Sequence, residues 1–312
     1  MSLELEKISK KLKERYHITE NMYHETMEID AEVLLTKKRL DLGAKLYYIQ
    51  CYVNNKGLKL AEDLYRSHMI VMQYQVDEES EFEEKLSRSL KNFQDMILEF
   101  QNGAFDTIEY RAVLGEGKEI IDGAHFVACC LYFKKKVPCI YFPELTGEIF
   151  DFLFFEKSGM IQGYLELLAG SFAMYRKDCV GRISVNGQNK YKTIADLEQA
   201  MEDAGCHMVY GIKTRCGRDR GWYYIFYSSR KKKIDEEISK QHFEEIKKML
   251  FLEEKEQLQE IFVSKDEKNR WVEARKLRES YAGYMIAIRK LLRLPTKMND
   301  EGYGCLKIKK KK

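Results

Sequence analysis

The stretch Lys118-Glu-Ile-Ile-Asp122-Gly-Ala-His125-Phe-Val-Ala-Cys-Cys-Leu-Tyr-Phe133-Lys-Lys-Lys136-Val-Pro-Cys-Ile-Tyr-Phe142 decides the fold. Lys118 to Ile121 reads as a short strand, and Gly115-Glu-Gly117 before it as the turn from an earlier strand, Thr107 to Leu114. Ala124 to Phe133 reads as a helix with bulky residues on more than one face. Three lysines then connect it to a third strand, Val137 to Phe142. Strand, turn, strand, helix, strand is the order of a compact α/β layer.

Upstream, the pattern is helical. Leu5, Ile8 and Leu12 recur at helical spacing over residues 1–16, and a more apolar helix over about 40–53 ends at Asn54-Asn-Lys-Gly57. A helix over about 58–74 follows, and Ser80 with Glu83 forms a capping box opening a helix that Gly103 closes. The first hundred residues read as wholly helical. Downstream, Phe150 to Phe155 is a dense aromatic cluster, and a helix is expected over Met160 to Tyr175. A second helix runs from a Thr193 cap to Gly205, followed by strands at His207–Thr214 and Trp222–Tyr227. Arg215 to Arg220 joins those strands, and its bases suit either a solvated loop or a grip on an acidic substrate. Long charged helices are expected over about 235–260 and 266–293. The whole is α+β: a helical region 1–106, a core motif 107–145, a mixed region 146–306, and a basic tail 307–312.

Composition narrows the function classes. Lys and Arg number 53 against 50 Asp and Glu, a balance without the excess expected of a dedicated nucleic-acid binder. The eight cysteines, at 51, 129, 130, 139, 179, 206, 216 and 305, contain no C-x-x-C pair and read as buried thiols of a reducing compartment. Met1 to Lys13 is charged throughout, with no apolar core of a signal peptide, and no apolar run reaches the roughly 20 residues that span a bilayer. The expectation is a cytoplasmic protein without membrane insertion. His17, His24 and Asp30 lack metal-ligand spacing, so no protein metal site is expected.

Chemistry concentrates at Asp122-Gly-Ala-His125, where a strand ends and a helix begins. A strand terminus holds a carboxylate rigidly, Gly123 can adopt positive φ, and the first amides of the helix lack intrahelical partners and suit an anion. An acid would then stand beside a phosphate cradle, the arrangement phosphoryl transfer needs. The residues taken alone favour a plainer reading, in which Asp122 caps the helix and His125 is a satisfied, partly buried histidine.

The flanking pattern adds a resemblance. Glu119-Ile-Ile-Asp122-Gly-Ala-His125, the helix after it and Lys136-Val-Pro-Cys-Ile140 are similar to the core of the ParB/sulfiredoxin-like superfamily. Its members include chromosome-partitioning nucleotide hydrolases, sulfiredoxins and free-serine kinases. The match covers about 107–143. More loosely, Arg39-Leu-Asp-Leu-Gly-Ala-Lys45 and the helices up to Asp106 resemble proteins of bacterial surface-polysaccharide gene clusters that carry the same turn. The resemblance implies a kinase that uses ATP or ADP with Mg2+ and phosphorylates a small hydroxylated molecule or sugar. Asp122 and His125 would be catalytic, and Gly123, Ala124 and His125 would hold phosphate. One departure stands out: Phe126 replaces the family's arginine after the histidine. Arg111, Arg39 and Lys45 are the candidates to replace that guanidinium. Strand alternation predicts that Arg111 faces away from Tyr110 and Ala112. A second carboxylate is expected upstream, among Glu78, Glu79 and Glu81. Ala124 occupies the position where sulfiredoxins have their cysteine, which disfavours that reaction. The runner-up is a ParB-like nucleotide switch binding DNA or a protein, or a non-catalytic relative; assembly as a homo-oligomer is left open.

Overall fold

Side-chain alternation along β2 (Ala112–Leu114) and β4 (Lys136–Tyr141) builds a sheet covered on both faces. Val113 and Ile140 join Phe142 and Leu145 in one cluster, covered by Leu5, Ile8, Leu12 and Ile18 of the N-terminal segment. Ala112 and Leu114, which alternate to the other face, are fully buried, and α6 (Ala124–Phe133) packs against both β2 and β4. The computed structural model describes residues 3–72, 79–103 and 110–176, the helical residues 199, 202 and 203, and four later strands. The chain divides into two compact units, 1–158 and 159–312.

The first unit holds a mixed sheet of order β1-β4-β2-β3, where β3 is Ile120–Asp122 and β1 is Glu25–Asp30. β2 runs parallel to β4, across a connection that contains α6, and antiparallel to β3. β1 lies antiparallel to β4 from Glu25 opposite Tyr141 to Asp30 opposite Lys136. The strand β1 overturns the expectation of a wholly helical first hundred residues. Met27 and Ile29 are its only inward apolar residues, set among exposed acids, and its partner lies more than a hundred residues away. A local window sees neither fact.

The helices follow their apolar spacing. α3 (Asp41–Val53) is buried nearly all round, which is why its amphipathic signal is weak. α4 (Leu58–Met72) buries Ala61, Leu64, Tyr65, His68 and Met69 along one stripe. α5 (Glu79–Gln101) does the same with Leu86, Phe93, Ile97 and Phe100, and Gly103 beyond it takes φ +75°. Ser80 lies inside α5, which already includes Glu79, so it does not cap that helix. The N-terminal segment forms two short helices, α1 (Leu3–Glu6) and α2 (Lys10–Tyr16), and Ser9 caps the second by accepting from the Leu12 amide. A short helix, α7 (Phe152–Lys157), capped by Asp151, closes the unit.

In the second unit α8 (Gln162–Met174) packs against β6 (Cys206–Thr214) and β7 (Gly221–Ser228) of an antiparallel sheet of order β6-β7-β5-β8. β5 (Cys179–Asn186) and β8 (Leu258–Phe262) complete it. The aromatic run Trp222 to Tyr227 thus sits on an interior strand. β8 occupies the end of the stretch expected to be helical over 235–260. The loop 215–220, the helix expected over 266–293 and the tail 307–312 lie outside the described residues, as does most of the helix expected from Thr193 to Gly205.

Two glycines position the strand–turn–helix. A Cβ at Gly115 would overlap the Leu145 carbonyl oxygen, and that oxygen accepts from the Glu116 amide. Gly123 has φ +88°, and a Cβ there would stand 3.1 Å from the Ala112 Cα. Gly123→Ala therefore meets both left-handed strain and backbone contact. Chemical denaturation should show a loss of about 1–3 kcal/mol, and no loss would mean that the turn relaxes freely.

Candidate functional site

Asp41 is fully buried at the start of α3, and its carboxylate organises the site. Arg39 Nε donates to Oδ1 at 2.8 Å and Nη2 to Oδ2 at 2.9 Å, while Lys45 Nζ, one turn along α3, donates to Oδ2 at 2.8 Å. Burial works against the Asp41 charge, but Arg39 and Lys45 beside it hold the carboxyl well below the usual carboxylate range. The remaining Arg39 nitrogen donates to the Ile120 carbonyl, so the network ties the start of α3 to the strand that ends at Asp122. The guanidinium also lies 5.5 Å from the Phe150 ring centroid. Lys45 reaches on to His68 Nε2 at 3.3 Å.

A cavity of about 750 Å3 opens in front of the α6 N-terminus. Asp122, Gly123, Ala124, His125 and Phe126 form one wall. Lys7, Arg15, Arg39, Lys45 and Arg111 line it against two carboxylates, Asp122 and Glu148. Met69, Met72, Met96 and Tyr110 supply an apolar side. The N-cap residue of α6 is Gly123, and no side chain caps the helix. Asp122 is exposed and does not cap. The plainer reading of that carboxylate therefore fails, and the residues at the helix start, whose amides lack intrahelical partners, line the cavity.

His125 fits the plainer reading only in part. Its Nε2 lies 2.8 Å from the Tyr65 hydroxyl, which is also 3.0 Å from Ser89 Oγ, and the Phe93 ring stands edge-on to it at 4.6 Å. Burial, together with the Lys45 ammonium, lowers its pKa to about 3. His68 is likewise held well below the ordinary histidine value, by burial first and then by the Lys45 ammonium. Both imidazoles are neutral at ordinary pH.

Arg111, Arg39 and Lys45 all reach the cavity wall, but on different terms. Arg39 and Lys45 are held by Asp41. Arg111 donates to the Tyr110 carbonyl at 3.0 Å. Tyr110 and Arg111 both line the cavity, against the expected alternation, because β2 begins only at Ala112. Phe126, where the resembled family has arginine, is 2% exposed and packs on Phe100 and Tyr110, with ring centroids 5.9 Å away in each case. It belongs to the core. Glu78 and the side chains of Glu79 and Glu81 lie outside the described residues, whereas Glu148, paired with Arg15, is a carboxylate at the cavity that sequence reading missed.

Other partners were also missed. A buried Asp41-x-x-x-Lys45 pair in a helix otherwise apolar is a legible signal, since charges at such positions must be paired. His68, on the apolar stripe of α4, is a similar one. Lys7 and Arg15 gave no signal, because bases beside short helices read as solvated. The thiols of Cys51, Cys129, Cys130 and Cys139 are buried and form no disulfide; burial pushes Cys130 up to about 12 and Cys139 to about 11. Among the described residues no cluster of His, Cys, Asp and Glu could hold a metal ion, and no helix is long and apolar enough to cross a membrane. No known family model, curated protein or solved structure matches the chain.

Removing the Asp41 charge leaves two buried cations unpaired. Asp41→Asn should cost about 3–5 kcal/mol in denaturant unfolding, and a loss below 1 kcal/mol would show that the network is dispensable. The histidines set a pH dependence. Their folded pKa values lie below the usual 6.5, so the unfolded chain binds protons that the folded chain refuses. Their contribution is complete above pH 6.5; that of His125 is lost as pH drops toward 3, by about 1.4 kcal/mol per pH unit, and His68 acts in the same direction. His125→Asn should flatten that slope by one proton, read from unfolding midpoints between pH 4 and 7.

Proposed function

We propose that the first unit is a nucleotide-dependent phosphotransferase acting on the hydroxyl of a small molecule or sugar, a relative of the ParB/sulfiredoxin-like superfamily's kinases. One observation carries this reading. An exposed, uncapping carboxylate, Asp122, stands at the mouth of a cation-rich cavity, beside a helix N-terminus that no side chain caps.

The residues fit a nucleotide's phosphates. The Ala124 and His125 amides stand at the helix start, Gly123 keeps the approach open, and five basic side chains line the cavity. Mg2+ commonly binds through one or two carboxylates plus substrate phosphates, and Asp122 and Glu148 are the carboxylates available for that. When bound, the ion would neutralise charge on the transferred group. Asp122 accepts the proton of the acceptor hydroxyl as its oxygen bonds to the terminal phosphorus. The bond from that phosphorus to the bridging oxygen breaks, and the nucleotide leaves one phosphate shorter. The α6 dipole and Arg111 stabilise the charge on the group in flight. Arg39 and Lys45 act at one remove, by holding the turn. The acceptor's origin in bacterial surface-polysaccharide metabolism is part of the proposal and rests on the looser resemblance of residues 39–106.

A second reading has its own observation. Phe126 is core, so the family's guanidinium is absent and no side chain follows His125 into the phosphate position. A nucleotide-binding switch without turnover would tolerate that.

Thermal shift with ATP, ADP and CTP, each with Mg2+, tests binding. Asp122→Asn separates the two readings. Phosphoryl transfer should fall about 10²–10⁴-fold while nucleotide affinity holds within about threefold. Wild-type protein that binds ATP without turnover on any hydroxyl acceptor would leave the switch.

A further inference from the structure

Tyr65 is wholly buried on α4, yet its hydroxyl ends 2.8 Å from His125 Nε2 and 3.0 Å from Ser89 Oγ of α5. That places a tyrosine between a serine and the histidine at the cavity wall. The other ring nitrogen, Nδ1, has no hydrogen-bond partner among the described residues. His125 itself lines the cavity, so Nδ1 is the nitrogen left to meet a ligand. Two aromatic rings flank the imidazole. Phe93 stands edge-on at 4.6 Å, and the Tyr65 ring lies 5.8 Å away.

We propose that Tyr65 is a positioning residue that sets the tautomer of His125, donating its hydroxyl proton to Nε2 so that Nδ1–H faces the cavity. Two directions of the chain are open in principle. In one, Ser89 donates to the Tyr65 oxygen, Tyr65 donates to Nε2, and Nδ1 carries the proton. In the other, Nε2–H donates to Tyr65, Tyr65 donates to Ser89, and Nδ1 presents a lone pair. The cavity decides between them. Its five basic side chains outnumber its two carboxylates even after Asp41 behind Arg39 and Lys45 is counted, and the α6 N-terminal residues line the same space, so the site favours an anion. A lone pair facing an anion repels it; an N–H donates to it. The ordinary protonation of the chain agrees, because burial first of all raises the Tyr65 pKa to about 12 and lowers that of His125 to about 3. Both groups stay neutral, and the imidazole has a single proton to place. The identity of the anion as a nucleotide phosphate rests on the phosphotransferase reading; the order of hydrogen bonds inside the protein does not.

The test uses the full chain labelled with 15N in histidine. Long-range 1H–15N correlation spectra assign the tautomer of His125 without ligand. The expected wild-type state is Nδ1–H, the form that an unconstrained neutral imidazole disfavours. Tyr65→Phe keeps the ring and removes the donor, so His125 should revert to Nε2–H, and ADP affinity by calorimetry should fall about tenfold. Ser89→Ala should leave Nδ1–H in place. A wild-type His125 found as Nε2–H overturns the proposal, whatever Tyr65→Phe does to folding. So does a Tyr65→Phe protein that folds and keeps Nδ1–H. A tautomer switch in a protein that binds no ADP upholds the Tyr65 assignment and removes the phosphotransferase reading instead.

Discussion

The Asp41 carboxylate, closed off from water and held by Arg39 and Lys45, is the interaction on which the candidate site depends. Each of these charges would cost several kcal/mol to bury alone, and three hydrogen bonds within one triad offset that cost. The triad's reach matters as much as its strength. Arg39 turns its remaining nitrogen to the Ile120 carbonyl, at the start of the strand that delivers Asp122. The backbone agrees: Leu40 donates to the Phe150 carbonyl and Phe150 donates to that of Lys38, so the loop before α3 is stitched to the segment after the sheet. A shift of α3 would therefore move the strand, the turn and the start of α6 together.

The same triad sets the electrostatics next to the cavity. Lys45 contributes to lowering both His68 and His125, so the imidazoles beside it are hydrogen-bonding groups rather than cations. That division of labour leaves positive charge at the cavity wall with lysine and arginine, and leaves His125 a directional donor or acceptor. Phe126 fits the same logic. A guanidinium at its position would have to enter the buried place that Phe126 fills against Phe100 and Tyr110. The cavity draws its charge instead from the N-terminal arm, through Lys7 and Arg15, and from Arg111.

The arm itself is a structural requirement of this solution. Leu5, Ile8, Leu12 and Ile18 cover the sheet face that carries Val113, Ile140 and Phe142. Burying that face is what brings Lys7 and Arg15 to the cavity, so packing and ligand charge share the same segment. Glu148 then pairs with Arg15 across more than a hundred residues of sequence.

Local chemistry made much of the chain legible. Ala124–Phe133 is a helix with the boundaries read from its apolar run, and the strand, turn, strand, helix, strand order stands, because each element is short, dense and bounded by Gly or Lys. The α+β class follows from that alternation. Positive φ at Gly123 was legible for the same reason, because it is a local property of the strand–turn–helix. Tertiary structure alone decided the rest. β1 exists because β4 offers it a partner, which no window of six acidic and apolar residues can reveal. Tyr65, His68, Ser89 and Glu148 acquire their roles from contacts 23 to 133 residues apart. Periodicity reports which face of an element is apolar, and so it foretold that α4 and α5 would be buried. It cannot report which buried hydroxyl will meet which imidazole, because that depends on the register of one packed helix against another.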